Sequence, residues 1–197
     1  MLEIIKDLDT NLFIFLNSIN SPFWDKTMWL ISAKTTWYPL YLAIIAYIIY
    51  KYKNKSIILL LSIALLIALA DQTSVHLFKD VFQRLRPCHN PQLQDIVHLV
   101  NNKCGGKYGF VSSHATNVFS ISLFLSFIFK NKFFTIGIFF WAIIISYSRI
   151  YLGVHYPLDV IGGAALGSIL AYIVYIFYLK ANSYFENNRV LNRKTSK

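Results

Sequence analysis

The stretch SRIYLGVHYPLDVIGGAALGSILAYIVYIFY, residues 148–178, joins a cation, an imidazole and a carboxylate to a long apolar run. Arg149, His155 and Asp159 lie in its first part, and residues 160–178 after them carry no charged side chain. A run of this length falls within the roughly 17–25 residues that a helix needs to cross a bilayer. The stretch therefore predicts a membrane helix whose first turn contains Pro157 and whose start lies next to a polar group at one membrane surface.

Four further apolar runs precede this one, at residues 37–50, 57–70, 116–129 and 133–147. The chain of 197 residues is 56% hydrophobic and only 14% charged, and its mean hydropathy is +0.48. Soluble domains are much less apolar. We therefore predict an all-α, polytopic membrane helix bundle with five to six transmembrane helices, in which residues 1–180 form a single domain.

The first part of the chain is ambiguous. The apolar segment at residues 12–16 is followed by several polar side chains as far as Lys26, which makes a spanning helix costly here. We expect residues 1–34 to form an N-terminal interfacial segment of amphipathic helices anchored by tryptophan side chains. A first span at residues 12–31 is the alternative. Acidic residues near the start of the chain argue against a cleavable signal peptide.

The net charge of +10 is concentrated in a few segments. Lysines cluster in two short connections, residues 51–55 and 130–132, and basic residues recur in the tail, residues 181–197. If five spans alternate in direction, these segments share one side, which the positive-inside rule identifies as cytoplasmic. The charge is thus explained by membrane topology rather than by nucleic-acid binding. We predict an integral protein of a bacterial inner membrane whose other polar clusters lie on the outer, periplasmic face.

Three clusters of cationic, imidazole and hydroxyl side chains fall on that outer face. They are Lys79 with Arg86-Pro87, then Ser112-Ser113-His114, and finally Arg149 with His155 and Asp159. Each cluster alone has an ordinary explanation, as a snorkelling cation, a helix cap or a turn. Together, several positive charges beside a bilayer are costly unless they share an anionic partner. A helix that starts at Ser112 or Ser113 also offers free N–H groups to an anion. We predict one phosphate-binding, phosphate-cleaving pocket.

Two cysteines, Cys88 and Cys104, lie in the polar outer loop predicted over residues 88–110. On the outer side of a membrane a disulfide persists, and closing a loop of this length would stabilise the fold by about 3 kcal/mol in the chain-entropy model. A metal site that also uses His89 and His98 is an alternative, although the spacing fits no compact zinc pattern. Two unpaired thiols are the third.

The order and spacing of the three clusters resemble the motifs of the type 2 phosphatidic acid phosphatase superfamily. The motifs read Lys79 and Arg86-Pro87 with six residues between them, Ser112-Ser113-His114, and Arg149, His155 and Asp159 with five and then three residues between them. The resemblance covers about residues 56–178. The same signature occurs in soluble acid phosphatases and vanadium haloperoxidases, but the predicted spans favour the membrane lipid phosphatase branch.

The resemblance implies a role for each residue of the pocket. His155 would be the nucleophile that forms a phosphohistidine, Asp159 would hold its tautomer, and His114 would protonate the leaving oxygen and then help to activate water. The phosphate-binding residues would be Lys79, Arg86, Ser112, Ser113 and Arg149. Neither a metal nor another cofactor is expected. The family usually reads Pro-Ser-Gly-His in the second motif, whereas here Val111 and Ser113 stand in the proline and glycine positions.

The resemblance also implies the function, an integral membrane phosphatase that hydrolyses a phosphate or diphosphate monoester of a membrane lipid. Bacterial substrates of the family are undecaprenyl diphosphate, phosphatidylglycerol phosphate, phosphatidic acid and lipid A. Because the outer loop contains no evident sugar-binding module, we favour undecaprenyl diphosphate or a related lipid phosphate. The predicted partners are this lipid and the bilayer, without nucleic acid and without a prediction of oligomeric state. A lipid phosphotransferase and a non-catalytic lipid-binding or transport protein are the alternatives.

Overall fold

The computed structural model describes residues 2–195, and side chains from residue 3 to residue 186. All of its regular elements are helices. Besides four short 3-10 helices, they are α1 Leu2–Ser18, α2 Pro22–Ser32, α3 Tyr38–Tyr52, α4 Ser56–Gln72, α5 Asp80–Phe82, α6 Ser113–Phe129, α7 Lys132–Tyr151 and α8 Pro157–Thr195. A π-helical segment, Thr73–Lys79, continues α4 into α5 without a break. The predicted all-α fold is confirmed.

Five of these helices correspond to the five predicted apolar runs. Among the residues that the structure describes, three stretches are long and apolar enough to cross a membrane, namely Lys34–Phe82, Lys132–Tyr151 and Pro157–Glu186. The first stretch forms two helices, α3 and α4. The chain turns between them at Lys53, which has a φ of 47°. The fifth, α6, is a shorter apolar helix of 17 residues. These helices form the predicted polytopic bundle.

The centre of the bundle is α6, which packs against α4, α7 and α8. Its contact with α8 depends on two glycines. A Cβ atom on Gly163 would lie 2.6 Å from the carbonyl oxygen of Ser112, and one on Gly167 would lie 2.2 Å from that of Thr116. Small residues four apart allow such a close helix contact in membranes. This approach brings the first turn of α6 beside the first turn of α8.

The outside of the bundle is apolar over most of its length. Large hydrophobic side chains are exposed on each of the four apolar helices other than α6, for example Leu42, Leu61, Phe140 and Phe177. Soluble monomers rarely expose apolar surface this extensive. The exposed side chains therefore match the hydrocarbon of a bilayer, and the chain is an integral membrane protein.

The two ends of the bundle differ in charge. At one end, Lys55 in the connection between α3 and α4 forms an ion pair with Glu186 of α8, and the Tyr52 hydroxyl donates to the Ile128 carbonyl at 3.1 Å. The lysine-rich connections therefore share this end, as their spacing predicts. The backbone of α8 continues through much of the predicted basic tail, and the tail side chains beyond residue 186 lie outside the described residues.

The N-terminal segment forms two helices at the opposite end. Neither α1 nor α2 has the length and hydropathy of a span. The Asn17 side chain fixes α1 to the rest of the fold, since its amide donates to the carbonyls of His98, Ile150 and Tyr151 at 3.1, 3.3 and 2.8 Å. The backbone N–H of His98 donates to the side-chain oxygen of Asn17 at 2.8 Å. The N-terminal segment is thus attached to the outer loop and to the end of α7.

The outer loop is closed by a disulfide between Cys88 and Cys104, whose Cα atoms lie 5.9 Å apart. Replacing both cysteines by serine should lower the free energy of unfolding by about 3 kcal/mol, because the unfolded chain regains the entropy of the open loop. Chemical denaturation in detergent measures this difference. A reductant should destabilise the wild-type protein and leave the double variant unchanged. Equal stability of the two proteins would contradict the prediction.

Candidate active site

The three predicted clusters meet at one end of the bundle. Lys79 is the last residue of the π-helical segment that follows α4. Arg149 lies in the last turn of α7, and Asp159 lies in the first turn of α8. The first turn of α6 joins them, since the Ser112 N–H donates to the Asp159 carbonyl at 2.9 Å. Successive helices run in opposite directions, so residues far apart in sequence come together at this end.

His155 and Asp159 form a buried pair at the start of α8. The imidazole is 1% exposed and the carboxylate 0%. His155 Nδ1 lies 3.3 Å from Asp159 Oδ2, and the same oxygen accepts the Tyr156 N–H at 3.0 Å. A carboxylate at Nδ1 fixes the tautomer of a histidine and directs its other nitrogen, Nε2, to the reaction. The pair has the geometry of an oriented nucleophile.

His155 is surrounded by positive charge. Burial lowers the pKa of His155 well below 6.5, and the cations of Arg86, Arg149 and Lys79 lower the pKa further. The imidazole is therefore neutral at physiological pH. A neutral ring nitrogen has the free electron pair that nucleophilic attack requires.

Two arginines beside the histidine are largely buried. Arg86 Nε donates to the Tyr108 carbonyl at 3.2 Å, and burial lowers the pKa of its guanidinium. Arg149 donates to the Ser32 hydroxyl, while its buried Nε has no hydrogen-bond partner among the described residues. A buried cation with an unused donor is costly unless an anion binds there. The planar guanidinium matches the geometry of phosphate oxygens.

The hydroxyls of the second motif are already engaged. Lys79 Nζ donates to Ser113 Oγ at 2.6 Å, and Ser113 Oγ lies 2.7 Å from Ser74 Oγ. Ser113, which stands where the family has glycine, therefore holds Lys79 in place. Ser112 caps α6, its Oγ accepting the Ala115 N–H at 3.4 Å. Because both hydroxyls have partners, the groups of this motif that are free to bind an anion are the backbone N–H groups in the first turn of α6.

His114 projects from the same turn into a cavity of about 240 Å³. The charge of Arg149 is close enough to act on its ring, so His114 borders the cations of the site. The cavity also contains Asn117, one turn further along α6, whose buried side-chain oxygen has no partner among the described residues. An imidazole in this position is able to give a proton to a group bound beside the arginines.

An apolar groove leads away from His114 along α3, α4 and α6. The cavity at His114 shares Tyr41, Ile67 and Ile121 with a second cavity of about 490 Å³. The lining of the second cavity reaches Ile48 and Leu125. Apolar side chains with few polar groups line sites for hydrophobic ligands. The groove has the character of a binding site for an acyl chain.

Three residues of the site were missed by the sequence analysis. Arg84 contacts the carboxylates of both Asp159 and Asp9, and Ser32 contacts Arg149. Arg84 lies in the first motif, two residues before Arg86, which is predicted to bind phosphate. Nothing in its position in the sequence indicates that Arg84 binds two carboxylates instead. Asp9 and Ser32 belong to the N-terminal helices, and no local pattern connects them with the motifs.

The alternative metal site in the outer loop is not formed. Cys88 and Cys104 are bonded to each other, His89 Nε2 lies 3.2 Å from the Gly105 carbonyl, and His98 pairs with a carboxylate of α2. Within the part of the chain that the structure describes, no group of three or more His, Cys, Asp or Glu side chains could hold a metal ion. Positive charge at the site comes from arginine and lysine side chains.

Comparisons with known proteins agree with the motifs. The model of the PAP2 superfamily matches residues 55–183. The Lipid A 4'-phosphatase of Porphyromonas gingivalis is 42% identical over 183 residues, which cover 92% of this chain and 78% of that protein. The Lipid A 4'-phosphatase of Bacteroides thetaiotaomicron is 38% identical over 192 residues, covering 95% and 84%. The Undecaprenyl-diphosphatase of Sulfolobus acidocaldarius is 39% identical over 66 residues, 34% of this chain and 32% of that protein.

Two crystal structures have a similar fold. Aquifex aeolicus LpxE, with 27% sequence identity, aligns with a TM-score of 0.63 over 85% of this chain and 94% of its own. A transmembrane PAP2 type phosphatidylglycerolphosphate phosphatase from Bacillus subtilis, with 26% identity, aligns with a TM-score of 0.67 over 90% and 87%. Since the family model covers more than half of the chain and two relatives match it over nearly its whole length, the protein belongs to the PAP2 superfamily.

Proposed function

We propose that this protein hydrolyses a phosphate monoester of a phosphorylated glycolipid of the lipid A type, at the outer face of the membrane, and releases phosphate. Membership of the PAP2 superfamily makes it a metal-independent phosphatase. One observation carries the proposal. The buried pair of His155 and Asp159 lies among three cations, and an apolar groove leads from this site along the membrane helices.

The proposed reaction has two steps. With His114 in its imidazolium form beside the bound phosphate, His155 Nε2 attacks phosphorus, the bond from phosphorus to the lipid oxygen breaks, and that oxygen takes a proton from His114. A water molecule then attacks the phosphohistidine, gives its proton back to His114, and releases phosphate and neutral His155. Lys79, Arg86 and Arg149 would bind the phosphate oxygens and offset the negative charge that they carry in both transition states.

The apolar groove supports a lipid substrate. Its upper end borders His114, and its lining continues down α3, α4 and α6 with aliphatic side chains. A phosphate bound at the helix ends would lie at the level of the lipid headgroups, while an acyl chain occupied the groove. The acyl chain holds the ester in the bilayer or micelle beside the groove by about 0.8 kcal/mol for each CH₂ group removed from water, which raises its concentration at the site. A soluble phosphate ester would lack this contribution.

The comparisons support lipid A rather than undecaprenyl diphosphate, the substrate that the sequence analysis favoured. The two lipid A 4'-phosphatases match 92% and 95% of this chain. The undecaprenyl-diphosphatase matches only 34%. A glycolipid headgroup is large, and segments outside the helix bundle are close to the site: Ser32 of α2 contacts Arg149, and the outer-loop carbonyls of Tyr108 and Cys104 accept from Arg86. We therefore propose the 4'-phosphate of a lipid A type glycolipid as the first substrate to test.

The test is a panel of lipids assayed with the purified protein in detergent. Free phosphate should be released from 4'-phosphorylated lipid A with a kcat/KM roughly tenfold or more above that for phosphatidylglycerol phosphate and undecaprenyl diphosphate, a difference that contacts to a few headgroup atoms supply. A chelator should leave the rate unchanged. Glycerol 3-phosphate, which has no acyl chain, is the control for the groove.

The assay tests the proposed substrate and the proposed reaction separately. A preference for undecaprenyl diphosphate would contradict the proposed glycolipid while keeping the phosphatase. Absence of phosphate release from every lipid in the panel, or a strict metal requirement, would contradict the reaction itself.

A further inference from the structure

Asp9 is a buried carboxylate in a helix that is otherwise mostly exposed. It is 4% exposed, whereas the neighbouring side chains from Glu3 to Leu8 are exposed. A carboxylate leaves water only where other groups replace the lost hydrogen bonds. Asp9 Oδ2 accepts from Arg84 Nη2 at 2.6 Å, and Asp9 Oδ1 accepts the Leu158 N–H at 2.8 Å. Both partners lie next to the catalytic pair.

Arg84 connects Asp9 to Asp159. Its Nη1 donates to Asp159 Oδ1 at 3.0 Å, and its guanidinium lies 4.0 Å from the centre of the Tyr156 ring. The two terminal nitrogens of the guanidinium thus each bind one carboxylate, and an aromatic face packs against it. Arg84 is therefore fixed between two aspartates, and its role differs from that of the arginines that face the phosphate.

We infer that Asp9 is a positioning residue, which acts through Arg84 to hold the Asp159 carboxylate in the orientation that His155 requires. With Asp159 Oδ1 bound by Arg84, the other oxygen is directed to His155 Nδ1. The inference rests on the proposed function, because the orientation of Asp159 matters to the rate only if His155 is the nucleophile. Partners that orient a functional group commonly contribute tenfold or more to activity.

The charges give a second reason for a carboxylate at residue 9. Arg84 alone would neutralise the negative charge of Asp159, and the phosphohistidine that forms on His155 would lose its counter-charge. With Asp9 present, the three side chains together carry one negative charge. In a buried site this charge is weakly screened, so it stabilises the ring as positive charge develops on it.

Asp9 lies outside residues 55–183, which match the family model. The helix that supplies it, α1, is attached to the site through Asn17 as well. The inference gives the N-terminal segment a part in the reaction.

The test is a double-mutant cycle of Asp9→Asn and Arg84→Gln, assayed with the lipid phosphate on which the wild type is most active. Asp9→Asn should lower kcat by about tenfold, the usual size of an effect on a supporting residue, with KM nearly unchanged because the phosphate-binding cations are untouched. Once Arg84 is glutamine, Asp9→Asn should cost nothing further. Asp9→Glu should recover most of the rate, because it restores the carboxylate. Rates are divided by the amount of enzyme that forms a phosphoenzyme.

Asp7→Asn is the matched control, since it removes the same charge from an exposed position of the same helix; its kcat should equal that of the wild type. A purely structural role, through the Asp9 bond to the Leu158 N–H, would give losses that add in the double variant, and additive losses would overturn the inference. If Asp9→Asn does not fold, a folded Asp9→Glu protein that is as slow as Arg84→Gln would overturn it too. A wild type inactive on every lipid phosphate would instead refute the proposed function.

Discussion

Replacing His155 by alanine is expected to lower phosphate release from a lipid phosphate by about 10⁴-fold or more, the scale of loss when a nucleophile is removed. The reason is the covalent step of the proposed mechanism. Without Nε2 the phosphoryl group has no acceptor in the site, and the cations of Arg86 and Arg149 can only bind the substrate. Binding should therefore survive, and the loss should fall on kcat.

The measurement has two parts, released phosphate and the amount of labelled phosphoenzyme after rapid quenching. His155→Asn is included because it fills more of the buried space than alanine does and so limits the loss of packing. His76→Ala is the control, because this histidine has a side chain that is 64% exposed. Near wild-type activity of both His155 variants, or a phosphoenzyme that persists in them, would contradict the mechanism.

The membrane helices could be predicted closely from the sequence. The apolar run at residues 133–147 became α7, Lys132–Tyr151, and the run at residues 37–50 became α3, Tyr38–Tyr52. Hydropathy suffices because a span must be apolar along its length and satisfies its backbone hydrogen bonds within itself. The ends of the helices could not be predicted from hydropathy, since the helices continue past the apolar runs through polar residues such as Arg149 and Lys79.

That the three clusters meet could be predicted from their shared side of the membrane and from the family resemblance, but individual contacts within the site could be predicted only where they are local. His155 and Asp159 are one helical turn apart, so their spacing alone suggests that they meet. The contact of Arg84 with Asp9 joins residues 75 positions apart, and nothing in either segment identifies the partner. Ser113 illustrates the same limit. The sequence indicates that a glycine is missing, whereas the bond to Lys79 appears only when α4 and α6 are placed together.

His114 is expected to act as the acid that protonates the leaving oxygen, so His114→Ala should slow release from a lipid alkyl phosphate by about 10²- to 10⁴-fold, the range of general acid catalysis. The effect should depend on the leaving group. An alkoxide needs a proton as the bond to phosphorus breaks, whereas a nitrophenolate is stable without one. An acylated nitrophenyl phosphate should therefore be cleaved by the variant at nearly the wild-type rate of phosphoenzyme formation.

Asn117→Ala provides the control, because Asn117 lies one turn further along α6 and borders the same cavity. If the loss in His114→Ala came from an altered cavity, Asn117→Ala would show a similar loss, and both substrates would be affected equally. If it comes from the missing proton, phosphoenzyme formation slows only with the alkyl phosphate, and Asn117→Ala stays close to the wild type. An equal loss of the rate of phosphoenzyme formation on both substrates in His114→Ala would assign the residue to substrate binding, and the leaving-group proton would then have to come from water or from the phosphate itself.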